Sequence, residues 1–173
     1  MNNKPLIRFL VSAVIVYVFW YLLYDLWLHP QRVVDNVVID STIKVSEIVL
    51  NILGFAVFTK DRIIGIEPTQ GLWIGDPCNG ISLFALFTGF IVCYPGKLKI
   101  KLLYIPFGII TIFFFNVIRV VALVIIYLYS PASLDFNHTY TFTIIIYAYI
   151  FFLWMFWVNR FGTKLTATTR EAQ

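Results

Sequence analysis

A thiol, a guanidinium and an imidazole occupy three conspicuous positions in this 173-residue chain: Cys78 in LWIGDPCNGISLF, Arg119 in FFFNVIRVVALVIIY and His138 in SLDFNHTYTF. Together these groups are the parts of acyl transfer, namely a nucleophile, a stabiliser of the developing oxyanion and an acid/base. The chain holds only two cysteines and two histidines, so each can be weighed individually.

Cys78 follows Pro77, which cannot donate a backbone hydrogen bond and is tolerated at a helix start. The sequence therefore places Cys78 in the first turn of a helix, where unpaired N–H groups and the positive end of the dipole favour a thiolate. Taken alone, a cysteine in a membrane helix is more often a small buried apolar residue. Cys93, fifteen residues on, lies about 22 Å away along a helix. A disulfide needs Cα atoms within about 7 Å, so Cys93 reads as an inert thiol. Arg119 interrupts an apolar run, and an intramembrane ionisable residue marks a site by default, although its head could also snorkel to the interface. Asn116, on the same helical face, favours an ordered polar site and could orient the arginine or add a donor. His29, and His138 taken alone, read as solvated interfacial histidines. The usual metal-ligand spacings are missing, and neither metal nor cofactor is expected.

The elements that must position these residues follow from composition. The chain is 60% hydrophobic and 13% charged, with a mean hydropathy of +0.85, against about 25% charged in a soluble domain. It reads as an all-α integral membrane protein. A bilayer core about 30 Å thick takes about 20 apolar residues as a helix, and four runs fit: residues 9–28, 77–96, 102–129 and 138–158. The first is expected to be a retained span, because no small-x-small cleavage site follows it. These four transmembrane helices form a single membrane domain over residues 1–173, with an outer-side segment at 29–76 and a cytoplasmic tail at 159–173. Within the outer segment, Asp40 to Phe58 reads as an interfacial amphipathic helix capped by Asp40 or Ser41. DRIIGIEPTQGLWIG reads as a small outer-side β-hairpin turning at Glu67 to Gly71. The polar stretch from Gly162 to Gln173 reads as frayed.

Orientation follows from the basic residues, which stay cytoplasmic near span ends. Lys4, Arg8, Lys97, Lys99, Lys101, Arg160, Lys164 and Arg170 share one side with a single acid, Glu171. The other side holds Arg32, Lys44, Lys60 and Arg62 with eight acids. Both termini are expected in the cytoplasm, and the pI near 9.1 reflects that rim, not a nucleic-acid surface. This topology alone brings Cys78, Arg119 and His138 to one level at the outer face.

In PCNGIS around Cys78, NVIR from Asn116 to Arg119 and FNH ending at His138, in that order, the chain resembles the exosortase/archaeosortase family of multispanning membrane transpeptidases. The resemblance covers roughly Trp73 to Arg160, and the short length resembles a compact subgroup of the Bacteroidetes type. It implies that Cys78 is the nucleophile, Arg119 the stabiliser and His138 the acid/base, with Asn116, Asn79 and Gly80 binding substrate or supporting those three. It also implies exported substrates carrying a C-terminal recognition motif, a transmembrane helix and a basic cluster. These would be cut through a thioester on Cys78 and passed to an acceptor or to water, at the outer face of a bacterial inner membrane.

Two other classes remain open on the residues themselves. A non-catalytic scaffold or assembly subunit for export or polysaccharide secretion would use the polar residues for helix packing or partner binding. A small transporter would use Arg119 to line an anion path, but the polar residues gather at one interface, which argues against it.

Overall fold

The computed structural model describes residues 4–162; most of the expected polar tail, with Lys164 and Arg170, lies outside the described residues. Helix α1, Lys4–Trp20, continues as a π-helical stretch, Tyr21–Leu28, and a last turn, His29–Gln31. The run Leu6–Gln31 is long and apolar enough to cross a membrane, and none of its most apolar stretch is buried within the protein. Tyr24 is the buried side chain of its π-helical stretch, and Phe9 packs against the second core cluster.

Arg32 ends that run in the left-handed region, at φ 55°, and α2, Val33–Ile52, begins directly after it. The helix expected over Asp40 to Phe58 thus starts earlier and stops sooner. Asp40 and Ser41 do not cap it: both lie inside the helix, and Ser41 Oγ donates to Val37 O at 2.7 Å, the backward bond open to a hydroxyl within a helix. The buried stripe is Asp35, Ile39, Thr42, Ile43, Ser46 and Leu50, whereas Ile48 and Ile52 face outward.

Three short strands follow: β1, Val57–Lys60; β2, Ile63–Ile66; and β3, Leu72–Trp73. They form an antiparallel sheet in the order β1-β2-β3. Ile63 pairs with Trp73 across the turn at Glu67 to Gly71. The third strand arises because Val57–Lys60, whose first residues the sequence assigns to a helix, instead pairs Val57 with Ile66. Ile64 and Ile66 of the central strand join Ile39, Leu50, Val117, Val120 and Val124 in one core cluster.

The longer helices that remain are α3, Ile81–Cys93; α4, Leu98–Tyr129; and α5, Phe142–Arg160, the last preceded by two short turns, Pro131–Ser133 and Leu134–Phe136, and a π-helical turn, Asn137–Thr141. With Leu6–Gln31, the runs Leu98–Tyr129 and Pro131–Arg160 make three helices long and apolar enough to cross a membrane among the described residues. Helix α3 has only 13 residues, about 20 Å at 1.5 Å per residue, where the sequence suggests a full span over 77–96. Gly80, at φ 77°, turns the chain at one end, and extended Tyr94 ahead of Pro95 stops the helix at the other.

Helix α4 passes through both core clusters. Ile112 packs with Phe87, Ile91, Ile150 and Trp157 in the second cluster, and Val117 onward packs in the first. Asn116 therefore lies where the two clusters meet. Below it, Gly108 faces the fully buried ring of Phe87, into which an added Cβ would run. Gly108→Leu should lower the thermal midpoint of the detergent-solubilised protein, since overpacking a filled core costs about 1–3 kcal/mol. An unchanged midpoint would contradict this packing.

Candidate active site

Cys78 closes a short 3-10 turn, Asp76–Cys78, held by Cys78 N–H donating to Gly75 O at 2.9 Å. It precedes α3 and does not sit in its first turn, because Gly80 intervenes in a left-handed conformation that an L side chain adopts only at a cost. The support that the sequence assigns to a helix N-terminus is therefore replaced by side chains from α4 and the last helical run.

His138 lies in the π-helical turn at the head of that run, a local geometry often found at functional sites. Its Nε2 stands 3.3 Å from Cys78 Sγ. Arg119, only 9% exposed, directs Nη2 to the same Nε2 at 2.9 Å and to Cys78 Sγ at 3.7 Å. A guanidinium can only donate, so this contact assigns Nε2 as the acceptor and places the imidazole proton on Nδ1. Arg119 is thus bonded inward instead of snorkelling away. Asn116 Nδ2 donates to Cys78 O at 2.7 Å, bracing the cysteine's backbone; of the two roles the sequence left open, orienting the arginine or adding a donor, this bond is the second.

Asn79 and Gly80 border, with Asp76, Arg119, His138 and Tyr147, a cleft of about 330 Å³, within the usual size range of small-molecule sites. A larger groove of about 450 Å³ runs between α1 and α3, lined by Phe9, Trp20, Leu86 and Trp154. Cys93 lies there, away from the cluster. The groove carries Asp25, Ser82 and Tyr17 but neither Arg119 nor His138, which line the smaller cleft, so the smaller cleft is the candidate site. His29 packs against Tyr24 with its ring tilted by 53° and the centroids 5.6 Å apart. Among the described residues, no group of three or more His, Cys, Asp or Glu side chains could hold a metal ion.

Two polar assemblies around the turn were not foreseen from the sequence. Asp35, fully buried, accepts at one oxygen from Tyr24 Oη and Asn79 Nδ2, both at 2.6 Å. Its signal was available: Asp35 falls four residues before Ile39, so it is an acid on the apolar stripe once the helix is extended toward Val33. Asp76 pairs with Arg32 and Arg62, each at 2.9 Å, and Arg62 also bonds Asn36. Nothing local announces these partners, since they are 44 and 14 residues away.

The family model for transmembrane exosortases matches residues 3–158. No curated protein and no solved structure matches the chain.

Burial pushes the Asp76 carboxyl up, but the Arg62 hydrogen bond and the charges of Arg32 and Arg62 outweigh it and hold the group below the usual carboxylate range. A carboxyl depressed in the folded state contributes stability that is present above its unfolded value, about 3.9, and is lost as pH falls through the folded value. Asp76→Asn should therefore lower the thermal midpoint at pH 7, and the difference from the parent should shrink as the pH is taken below about 4. A difference independent of pH would show that the carboxylate charge is not what holds the turn.

Proposed function

The chain belongs to the transmembrane exosortase family, and from that premise we propose that it is a membrane-embedded cysteine transpeptidase that cleaves C-terminal sorting signals. The observation that carries this reading is the meeting of Cys78 Sγ and Arg119 Nη2 at one nitrogen, Nε2 of His138.

One lone pair on Nε2 cannot take protons from both neighbours. When the Cys78 proton moves to Nε2, that nitrogen becomes a donor and the Arg119 N–H loses its acceptor. The guanidinium then turns to the sulfur and to the carbonyl oxygen of the tetrahedral adduct, where its charge lowers the barrier. Sγ bonds to the scissile carbonyl carbon, the C–N bond breaks, and His138 returns its proton to the departing amine. An acceptor amine, or water, next attacks the thioester while His138 takes its proton, and the sulfur leaves to be reprotonated. Asn116 holds the Cys78 carbonyl throughout, so the nucleophile needs little reorganisation.

In this reading α3, though short, is the second of four spans, α2 lies at the outer interface and the sheet covers the outer mouth of the bundle. Both termini are cytoplasmic, and the cleft opens at the outer face of a bacterial inner membrane. The substrates are exported proteins with a recognition motif, a transmembrane helix and a basic tail. Such a helix would hold the scissile bond at the level of Cys78, and confinement in the bilayer would supply much of the orientation.

Mass spectrometry of exported-protein C-termini in the native host tests the reading. With Cys78→Ser, a set of exported proteins should keep its C-terminal helix, while Cys93→Ser behaves as the parent. Unchanged C-termini in Cys78→Ser would favour a non-catalytic scaffold. Arg119→Ala should slow cleavage at least about 100-fold, the cost of removing an oxyanion donor. In intact spheroplasts an impermeant thiol reagent should label Cys78 and spare Cys93; the reverse pattern would overturn the orientation.

A further inference from the structure

Asp35 contributes a buried acid that the reaction scheme does not use. It is 0% exposed and lies in the first turn of α2. An acid is placed there only if its hydrogen bonds are strong, because an unpaired buried carboxylate is costly. Its Oδ1 receives Tyr24 Oη from the first helical run and Asn79 Nδ2 from the turn before α3. Asn79 then passes the constraint on: its Oδ1 accepts the N–H of Ile81, the first residue of α3, at 2.9 Å.

Asn79 directly follows Cys78. The Cys78 carbonyl is taken by Asn116 from α4, so the peptide carrying the nucleophile is held from two sides by two different helices. Asn116 fixes its oxygen, and Asp35 fixes the side chain of the next residue. Gly80, at φ 77°, allows the abrupt change of direction that puts Asn79 in line with Asp35 while Cys78 meets His138. Asp35 bonds Tyr24 and Asn79, not the reacting trio.

We propose that Asp35 is a positioning residue for Cys78, acting through Asn79 to set the direction of the thiol toward His138 and Arg119. The inference rests on Cys78 being the nucleophile. The hydrogen-bond geometry matters here more than the charge. Asparagine at position 35 keeps one oxygen able to accept from both Tyr24 and Asn79, whereas alanine removes the acceptor and leaves the Asn79 amide buried without a partner.

The test uses the full chain in detergent in a Cys93→Ser background, where iodoacetamide alkylation followed by mass spectrometry reads Cys78 alone. Asp35→Ala should slow Cys78 alkylation at pH 7 at least fivefold, and Asp35→Asn should stay within twofold of the parent. Asn79→Ala should match Asp35→Ala, and the double variant should fall no further, as expected for two residues acting as one unit. In processing of a substrate peptide, Asp35→Ala should lower kcat, counted per folded enzyme after size-exclusion, at least tenfold with KM within threefold; a loss of folded protein would vanish on that normalisation and would speed, not slow, alkylation of the exposed thiol. If Asp35→Ala does not fold, Asn79→Ala carries the test. Alkylation within twofold of the parent in the alanine variant would overturn the proposal, as would an equal loss in Asp35→Asn. Should Cys78→Ser still process exported proteins, the transpeptidase reading falls while the alkylation rates still decide the role of Asp35.

Discussion

Arg119 carries a permanent charge on a helix among Val117, Val120 and Val121, all buried, and a guanidinium in such a setting is tolerated only where its N–H groups find acceptors. The neutral imidazole of His138 is the acceptor provided, at 2.9 Å. No carboxylate neutralises it there, since the ion pairs of the described residues lie at Asp76. The charge is therefore solvated by polar groups and remains available to any negative charge that develops beside it. Cys78 Sγ, 3.7 Å from the same Nη2, is the group placed to develop one.

Holding that arrangement requires backbone conformations that regular helices do not supply. The π-helical turn at Asn137–Thr141 presents His138, and the longer one at Tyr21–Leu28 contains Tyr24, the buried residue of that stretch, which reaches Asp35. Gly80 breaks the approach to α3, which leaves Cys78 in a tight turn of its own instead of inside a helix. Such local departures from ideal geometry persist only where surrounding contacts over-determine them. Here they are bracketed by two core clusters, one built on α2 and the sheet and the other on α3 and α5. Buried polar atoms without a protein partner are rare, and Asp35 Oδ2, Asn116 Oδ1 and Arg119 Nε are among them.

Much of the site was legible in local residue patterns. Cys78, Arg119 and His138 could be brought to one level from hydropathy alone, because runs of about 20 apolar residues alternate direction across a bilayer. The same method overestimated α3. Hydropathy measures how apolar a run is, and the stretch 77–96 is apolar throughout, but backbone conformation at Gly80 and Tyr94 decides where the helix exists. The segment between the first two apolar runs was misread for a related reason. Asp40 and Ser41 have the residue types of a helix cap, yet a left-handed Arg32 starts the helix. Propensity ranks Arg32 no higher than its neighbours for that role.

By itself the sequence determined that the chain is a membrane protein, which scarce polar residues it carries and the order in which they come along the apolar runs. These properties are carried by side-chain composition, and the bilayer acts on composition directly. The tertiary structure decided what each polar group bonds: that Arg119 and Cys78 share one histidine nitrogen, that Asn116 holds the Cys78 carbonyl, and that Asp35 reaches across 44 residues to Asn79. Hydrogen bonds form over about 3 Å with strict direction. Partners that far apart in the chain are selected by the packing of helices, and no local pattern encodes them.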